Sequence, residues 1–358
     1  MDIGVFLPIA NNGWFVSKTA PQYKPTFELN RRIVESAERH GLDFALSMVK
    51  LRGFGGETEF WDYALESFTL MAGLAAATER IKLFASTPVL ALSPALAARM
   101  AVTIDSIAPG RFGINIVSGW QKAEYQQLDV WPGDEHYGRR YDYASEYVTI
   151  LRELLETGRS SFQGDFFHFD DCQLQPLPSA PIPLVGAGQS RRGIEFCAQH
   201  GDFNFVNING VNQPTSFAPL AERVTAAGVE AQRDIGVYVL VAIIAAETDE
   251  EAWARWRHIQ GGVDVKALEG IGSQMSLDTV HRNQDTSSVK RALEVVEDTS
   301  SSVCGLLIGS YQSVASMLDE VAAVEGTAGI MVVFDDFLDG LDTFGKHIQP
   351  LMTCRADR

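Results

Sequence analysis

Polar side chains set inside apolar runs are the first candidates for chemistry in this sequence. Asn115 interrupts the run Phe112 to Val117, where an unpaired amide costs roughly 1–3 kcal/mol. It reads either as a satisfied amide between apolar layers or as a donor and acceptor for a polar ring. Ser86-Thr87-Pro88 ends another apolar run, so its hydroxyls either face a reacting centre or cap a turn. Gly186-Ala187-Gly188-Gln189-Ser190 precedes a helical stretch, but a dinucleotide fingerprint needs a third glycine at 191, which is Arg. The segment suits a single phosphate, held by N–H groups around Gly188, the Ser190 hydroxyl and the helix dipole; the plainer reading is a glycine-rich turn. Arg139 and Arg140 open a helix, where cations are disfavoured unless an anion neutralises them. That anion is either a ligand or the neighbouring Asp134 or Glu135.

Other residues exclude more than they assign. The seven histidines have no HxH or HExxH spacing and the four cysteines no CxxC pair, so no metal site is expected. No G-x-S-x-G elbow is present. Asp335-Asp336 could form a general-base pair, but such acids more often cap the following helix, and the cap is the expectation here. Met48 to Gly56 is a glycine-rich loop with Trp61 beyond it, and Trp120 follows Gly119. Each tryptophan is either packing or a stacking wall for a planar substrate.

Elements must bring these residues together. Short apolar runs predict strands at 3–7, 44–49, 81–86, 112–117, 184–186, 203–206, 237–244 and 330–334, separated by helices at 27–40, 65–78, 96–107, 141–155, 192–199, 216–226, 250–259 and 314–324. Eight strands alternating with helices predict a closed (β/α)8 barrel, with reactive residues just after the strands. One domain spanning 1–358 is expected, with an inserted hairpin at about 160–174 and a polar surface insertion at about 261–303, either a lid or partly disordered.

Composition narrows the partners. With 46 acidic against 29 basic residues the net charge is −17, and no basic cluster offers a site for nucleic acid or an anionic membrane. The first residues lack a signal-peptide layout, no apolar run of about 18 residues is present, and unpatterned thiols suit a reducing compartment. A cytoplasmic protein is expected.

At these residues the chain resembles the flavin-dependent bacterial luciferase-like monooxygenases, and among them the pyrimidine oxygenase family that opens the uracil ring. The stretches that carry the resemblance run nearly end to end: Asn11 to Trp14, Pro21 to Tyr23, Thr26 to Asn30, Asp43 to Met48, Leu51 to Gly56, Gly110 to Gly113, Trp131 to Asp134, Arg139 to Tyr143, Ala187 to Ser190 and Phe334 to Phe337. The resemblance implies a TIM barrel with insertions that binds reduced FMN, supplied by a separate NAD(P)H-dependent flavin reductase, with O₂ as co-substrate. It implies FMN contacts at Met48, Val49, Asn115, Glu124, Arg140, Tyr141 and Ser190, and a reacting centre surrounded by Leu46, Ser86, Asn115 and Ile116. Trp61, Trp120 and Phe205 are expected to line the substrate pocket. The implied reaction opens uracil or thymine between N3 and C4, through a flavin-N5 peroxide, to a ureidoacrylate peracid. The family also implies a homodimer or tetramer. The sequence departs from the family pattern at Ser86 to Val89, at Ile116 and Ser118, and at Val206 to Gly210, positions that bear on the substrate. The alternatives are oxygenation of another N-heterocycle, a halogenated aromatic or a sulfone, a deazaflavin-dependent dehydrogenase, and a non-catalytic flavin carrier.

Overall fold

A computed structural model describes residues 1–278 and 301–356. Strands β1 (Asp2–Leu7), β2 (Phe44–Ser47), β3 (Lys82–Pro88) and β4 (Phe112–Val117) come first along the chain. The strands β5 (Arg159–Ser160) and β6 (Cys172–Gln173) pair antiparallel as a separate hairpin. Then follow β7 (Leu184–Gly186), β8 (Phe203–Asn207), β9 (Gly236–Ala246), β10 (Leu306–Ser310) and β11 (Thr327–Phe334). Without β5, β6 and β10, eight parallel strands form a closed ring. Ile330 of β11 lies beside Ile3 of β1, and Phe205 of β8 beside Tyr238 of β9. The helices, in chain order, are α1 (Phe27–Arg39), α2 (Ser67–Ala77), α3 (Pro94–Ile107), α4 (Lys122–Gln126), α5 (His136–Thr157), α6 (Arg191–His200), α7 (Ala218–Glu230), α8 (Asp249–Gln260), α9 (Val265–Ser276), α10 (Tyr311–Ala323) and α11 (Phe337–Thr343). None of them is long and apolar enough to cross a membrane. The ring of strands surrounded by helices is the (β/α)8 barrel that the apolar periodicity predicts.

Two elements depart from the expectation. The strand β10 follows a polar stretch and is only five residues long. It pairs with the C-terminal half of β9, Leu306 beside Ala242, while β8 takes the N-terminal half. An eleven-residue β9 has room for both. Within the expected polar insertion, residues 265–276 form α9, with Ala267, Ile271 and Met275 buried at four-residue spacing. Asp264 starts this helix by accepting the Ala267 N–H. Residues 279–300 of that insertion lie outside the described residues.

The lower half of the barrel is filled by rings. Phe44 and Phe203 both stack on Tyr238, with centroids 4.5 and 4.2 Å apart, and Phe84 meets Tyr238 edge-on. A Cβ on Gly4 would come within 2.4 Å of the Phe44 ring, so glycine there admits the plug. Side chains alternate along a strand, so two residues further on Phe6, Ser86, Asn115, Phe205 and Leu240 face a cavity at the C-terminal mouth. Beneath the plug, Arg355 donates to Asp43 (2.7 Å) and to the Gly41 carbonyl (2.8 Å), tying the last turn to β2.

Candidate active site

The mouth holds two adjoining cavities. The first, about 260 Å³, has mainly apolar walls that include Trp14, Met48, Val49, Trp61, Trp120 and Phe205. The second, about 250 Å³, runs toward Arg140, Tyr141, Gly188 and Gln189. Val117, Trp120, Ala187, Asn207 and Met275 border both, so the two are parts of one site.

The polar floor of the first cavity is a relay of hydroxyls. Ser47 and Ser67 share a 2.5 Å hydrogen bond, and the Ser86 N–H donates to the Ser67 Oγ. Ser86 then donates its only proton to the Ser47 carbonyl (2.5 Å), so its Oγ can only accept from Asn115, whose Nδ2 lies 2.7 Å away. This fixes the amide. The Asn115 Oδ1 is buried with no partner, as is the Asn207 Oδ1 on β8. Both residues line this largely apolar space, and a buried carbonyl oxygen without a partner calls for an N–H donor.

The walls are set by strained and tethered loops. Trp61 has φ +62°, rare for a bulky residue, and its Nε1 donates to the Gly13 carbonyl (2.6 Å). The chain before it is held by Asp264, which accepts the Thr58 N–H (2.7 Å) and hydroxyl (2.8 Å). Because Asp264 also caps α9, one carboxylate joins the Trp61 loop to the helix that brings Ile271 and Met275 to the cavity. Burial pushes the Asp264 pKa up, but the hydrogen bonds from Thr58, Ala267 and Glu57 outweigh it and hold the group below its ordinary value. On the other side, the His136 Nε2 lies 3.0 Å from the Ser118 and Gly119 carbonyls, so that nitrogen carries the proton. Burial lowers its pKa, keeping the ring a neutral clamp on the turn before Trp120.

At the far end of the second cavity, α6 begins at Ser190, whose Oγ accepts the Gly193 N–H. A Cβ on Gly188 would sit 2.3 Å from the Gly193 carbonyl oxygen, so this turn requires glycine. Arg140 projects from α5, almost fully buried, and pairs with Asp278 at 3.0 Å; its Nε has no partner. Arg139 instead reaches outward to Asp165 of the hairpin (2.7 Å), so neither arginine pairs with Asp134 or Glu135.

Most expected site residues meet here. Ser86, Asn115, Met48, Val49, Trp61, Trp120 and Phe205 line the first cavity. Arg140, Tyr141 and Gly188 line the second, together with Ile116, which follows Asn115 on the opposite strand face. Three do not reach either space. Leu46 is packed in the barrel interior, below Met48. Glu124 is buried on α4 and binds the Leu51 N–H and Lys50. Ser190 is fully buried and its Oγ is engaged as a cap. Asp336 caps α11 as expected, and Asp335 is ion-paired with Arg255. The sequence reading missed Lys50 and the α9 side chains, whereas Asn207 falls in the Val206 to Gly210 stretch expected to bear on the substrate. Lys50 left a signal: a cation directly after Met48-Val49, at a strand end that the barrel must bury.

The arrangement fits a flavin: an apolar slot for the ring, continuous with a buried cation whose Nε has no partner and a helix start for an anionic tail. Comparison with known proteins agrees. The family model described as luciferase-like monooxygenase matches residues 1–328. The pyrimidine monooxygenase RutA of Bradyrhizobium sp. (strain BTAi1 / ATCC BAA-1182) is 55 % identical over 358 residues, covering 100 % of this chain and 99 % of that protein. RutA of Escherichia coli (strain SE11) is 55 % identical over 356 residues, covering 99 % and 92 %. Among solved structures, the riboflavin lyase RcaE superposes with a TM-score of 0.82 at 19 % identity over 99 % of this chain and 92 % of that one, a likeness of fold. The chain belongs to the luciferase-like monooxygenase family and is a flavin-dependent monooxygenase.

Proposed function

We propose that the chain is a pyrimidine monooxygenase that takes reduced FMN from a separate flavin reductase and uses O₂ to open uracil or thymine between N3 and C4, giving a ureidoacrylate peracid. Full-length identity of 55 % to proteins named pyrimidine monooxygenase supports the substrate. The observation that carries the reading is the first cavity itself, with aromatic walls for a flat ring and the unmet Asn115 and Asn207 oxygens for N–H groups.

In this reading Met48, Val49 and Ala187 support the flavin ring, while Arg140 and the start of α6 take its phosphate. Bound reduced flavin supplies the two electrons that activate O₂. The protein does the rest. Ser86 holds the Asn115 amide so that its oxygen faces the reacting ring edge, Trp61 and Trp120 flank the pyrimidine, and the apolar walls keep water away from the activated oxygen. The test is a single incubation of the protein with uracil, reduced FMN, a generic flavin reductase and ¹⁸O₂, followed by mass spectrometry. A ring-opened product carrying ¹⁸O is the expected result. Hydrogen peroxide without product would remove the pyrimidine assignment, and turnover of a substrate without O₂ uptake would favour a dehydrogenase.

A further inference from the structure

Lys50 is a buried cation that the reading above does not use. It follows β2 and is 6 % exposed, and its Nζ stands among the rings of Phe54, Trp61 and Trp120, 4.8, 5.2 and 5.6 Å from their centroids. All four residues line the first cavity. Two protein groups hold the ammonium: the Gln121 Oε1 at 2.6 Å and the Glu124 Oε1 at 2.9 Å. Both partners are themselves fixed. The Gln121 Nε2 donates to the Arg52 carbonyl (3.0 Å), and Glu124 accepts the Leu51 N–H (2.9 Å). An ammonium has three N–H donors, and among the described residues the third has no acceptor.

A cation costs much to bury and is usually spent on closing an ion pair. Here the pair is closed and one donor remains, in a space whose other walls are mainly rings and aliphatic side chains. The third Lys50 N–H is thus a donor beside the unpartnered acceptor oxygen of Asn115, whose amide is fixed by Ser86. That pattern complements a cyclic imide or ureide, whose carbonyl oxygen accepts and whose ring N–H groups donate. We infer that Lys50 is a catalytic residue that grips the carbonyl oxygen of the substrate's scissile C–N unit and stabilises the charge that gathers there when a nucleophile adds to the carbonyl carbon. Glu124 and Gln121 are its positioning residues, which gives buried Glu124 a role although it touches neither cavity. The inference deepens the proposed pyrimidine chemistry and rests on it for the substrate.

The test compares wild type with Lys50→Met, which keeps the length of the chain and removes the donor. Lys50→Met/Glu124→Gln is the second variant, in which no carboxylate is left stranded if the single change fails to fold. Three quantities are read: the FMN dissociation constant, uracil binding by tryptophan fluorescence, and kcat/KM for uracil. Expected are unchanged FMN affinity, uracil binding weakened about tenfold, and kcat/KM lowered by about 10² or more, the typical loss for one donor at a developing oxyanion. Lys50→Arg, which keeps a donor, should recover part of the loss. Cytosine, with an amine in place of the C4 carbonyl, should bind the wild type more weakly than uracil and lose little in Lys50→Met. A folded variant that keeps wild-type uracil binding and kcat/KM overturns the inference. If wild type neither binds nor turns over uracil, the pyrimidine reading fails. Binding is then measured with hydantoin, succinimide and barbiturate: a ligand lost on Lys50→Met supports the role of Lys50, and no ligand sensitive to the change overturns it.

Discussion

The orientation of one amide decides what Asn115 can offer a ligand. One Nδ2 proton goes to Ser86, which orients the amide and leaves its Oδ1 as an unpartnered acceptor that suits an N–H. Ser86→Ala removes the group that enforces this and strands a buried N–H, at about 1–3 kcal/mol. We expect kcat/KM for uracil to fall by roughly 10- to 100-fold at that cost, while Ser86→Thr, which keeps the hydroxyl, stays near wild type. Steady-state kinetics with uracil checks both, and an active Ser86→Ala would detach the hydroxyl relay from catalysis. Asn115 and Ser86 were legible because each breaks an apolar strand near its C-terminal end, where a barrel places its chemistry. Glu124 and Ser190 gave no such clue to their real work. Both act one layer behind the cavity, and no spacing in a sequence distinguishes a group that touches a ligand from one that holds its neighbour.

Among the elements, α9 carries more of the site than its composition suggested. Polar residues around it hid the four-residue spacing of Ala267, Ile271 and Met275, just as the same polar stretch masked the short β10. Strands with longer apolar runs were readable because burial on both faces leaves no room for polar residues. Asp264 joins α9 to the Trp61 loop, so Asp264→Ala should lower stability by about 2–3 kcal/mol, as loss of a cap plus charged hydrogen bonds. Urea unfolding measures this, and a loss under about 0.5 kcal/mol would show the tether idle. The linkage to pH has a definite sign. The folded pKa of Asp264 lies below its ordinary value, so its contribution is complete above about pH 4 and is lost as pH falls through the lower folded value. Wild type should therefore lose stability in that acid window more steeply than Asp264→Ala.

For the whole molecule, charge opposes the proposed cofactor. A protein of net charge −17 repels an anion such as FMN at a distance, and the buried Arg140 attracts it only once it has entered. Raising ionic strength from low to physiological should therefore speed FMN association, by roughly two- to tenfold, because salt screens the long-range repulsion more than the buried contact. Stopped-flow quenching of flavin fluorescence measures the rate. A rate that falls with salt would point to a local positive approach path that the net charge conceals.

The pairing of the first strand with the last has a consequence for how the protein is made. During synthesis β1 can pair with β2 early, but its other side has no neighbour until β11 emerges, since Ile3 lies against Ile330. For most of translation the nascent chain therefore carries an open apolar edge, a template for unwanted pairing. The mouth cannot take its finished shape in that interval, because β9 and its neighbours define one wall. Flavin capture is thus a post-translational event, and a chaperone that shields the exposed strand would raise the yield of active protein without altering the finished enzyme.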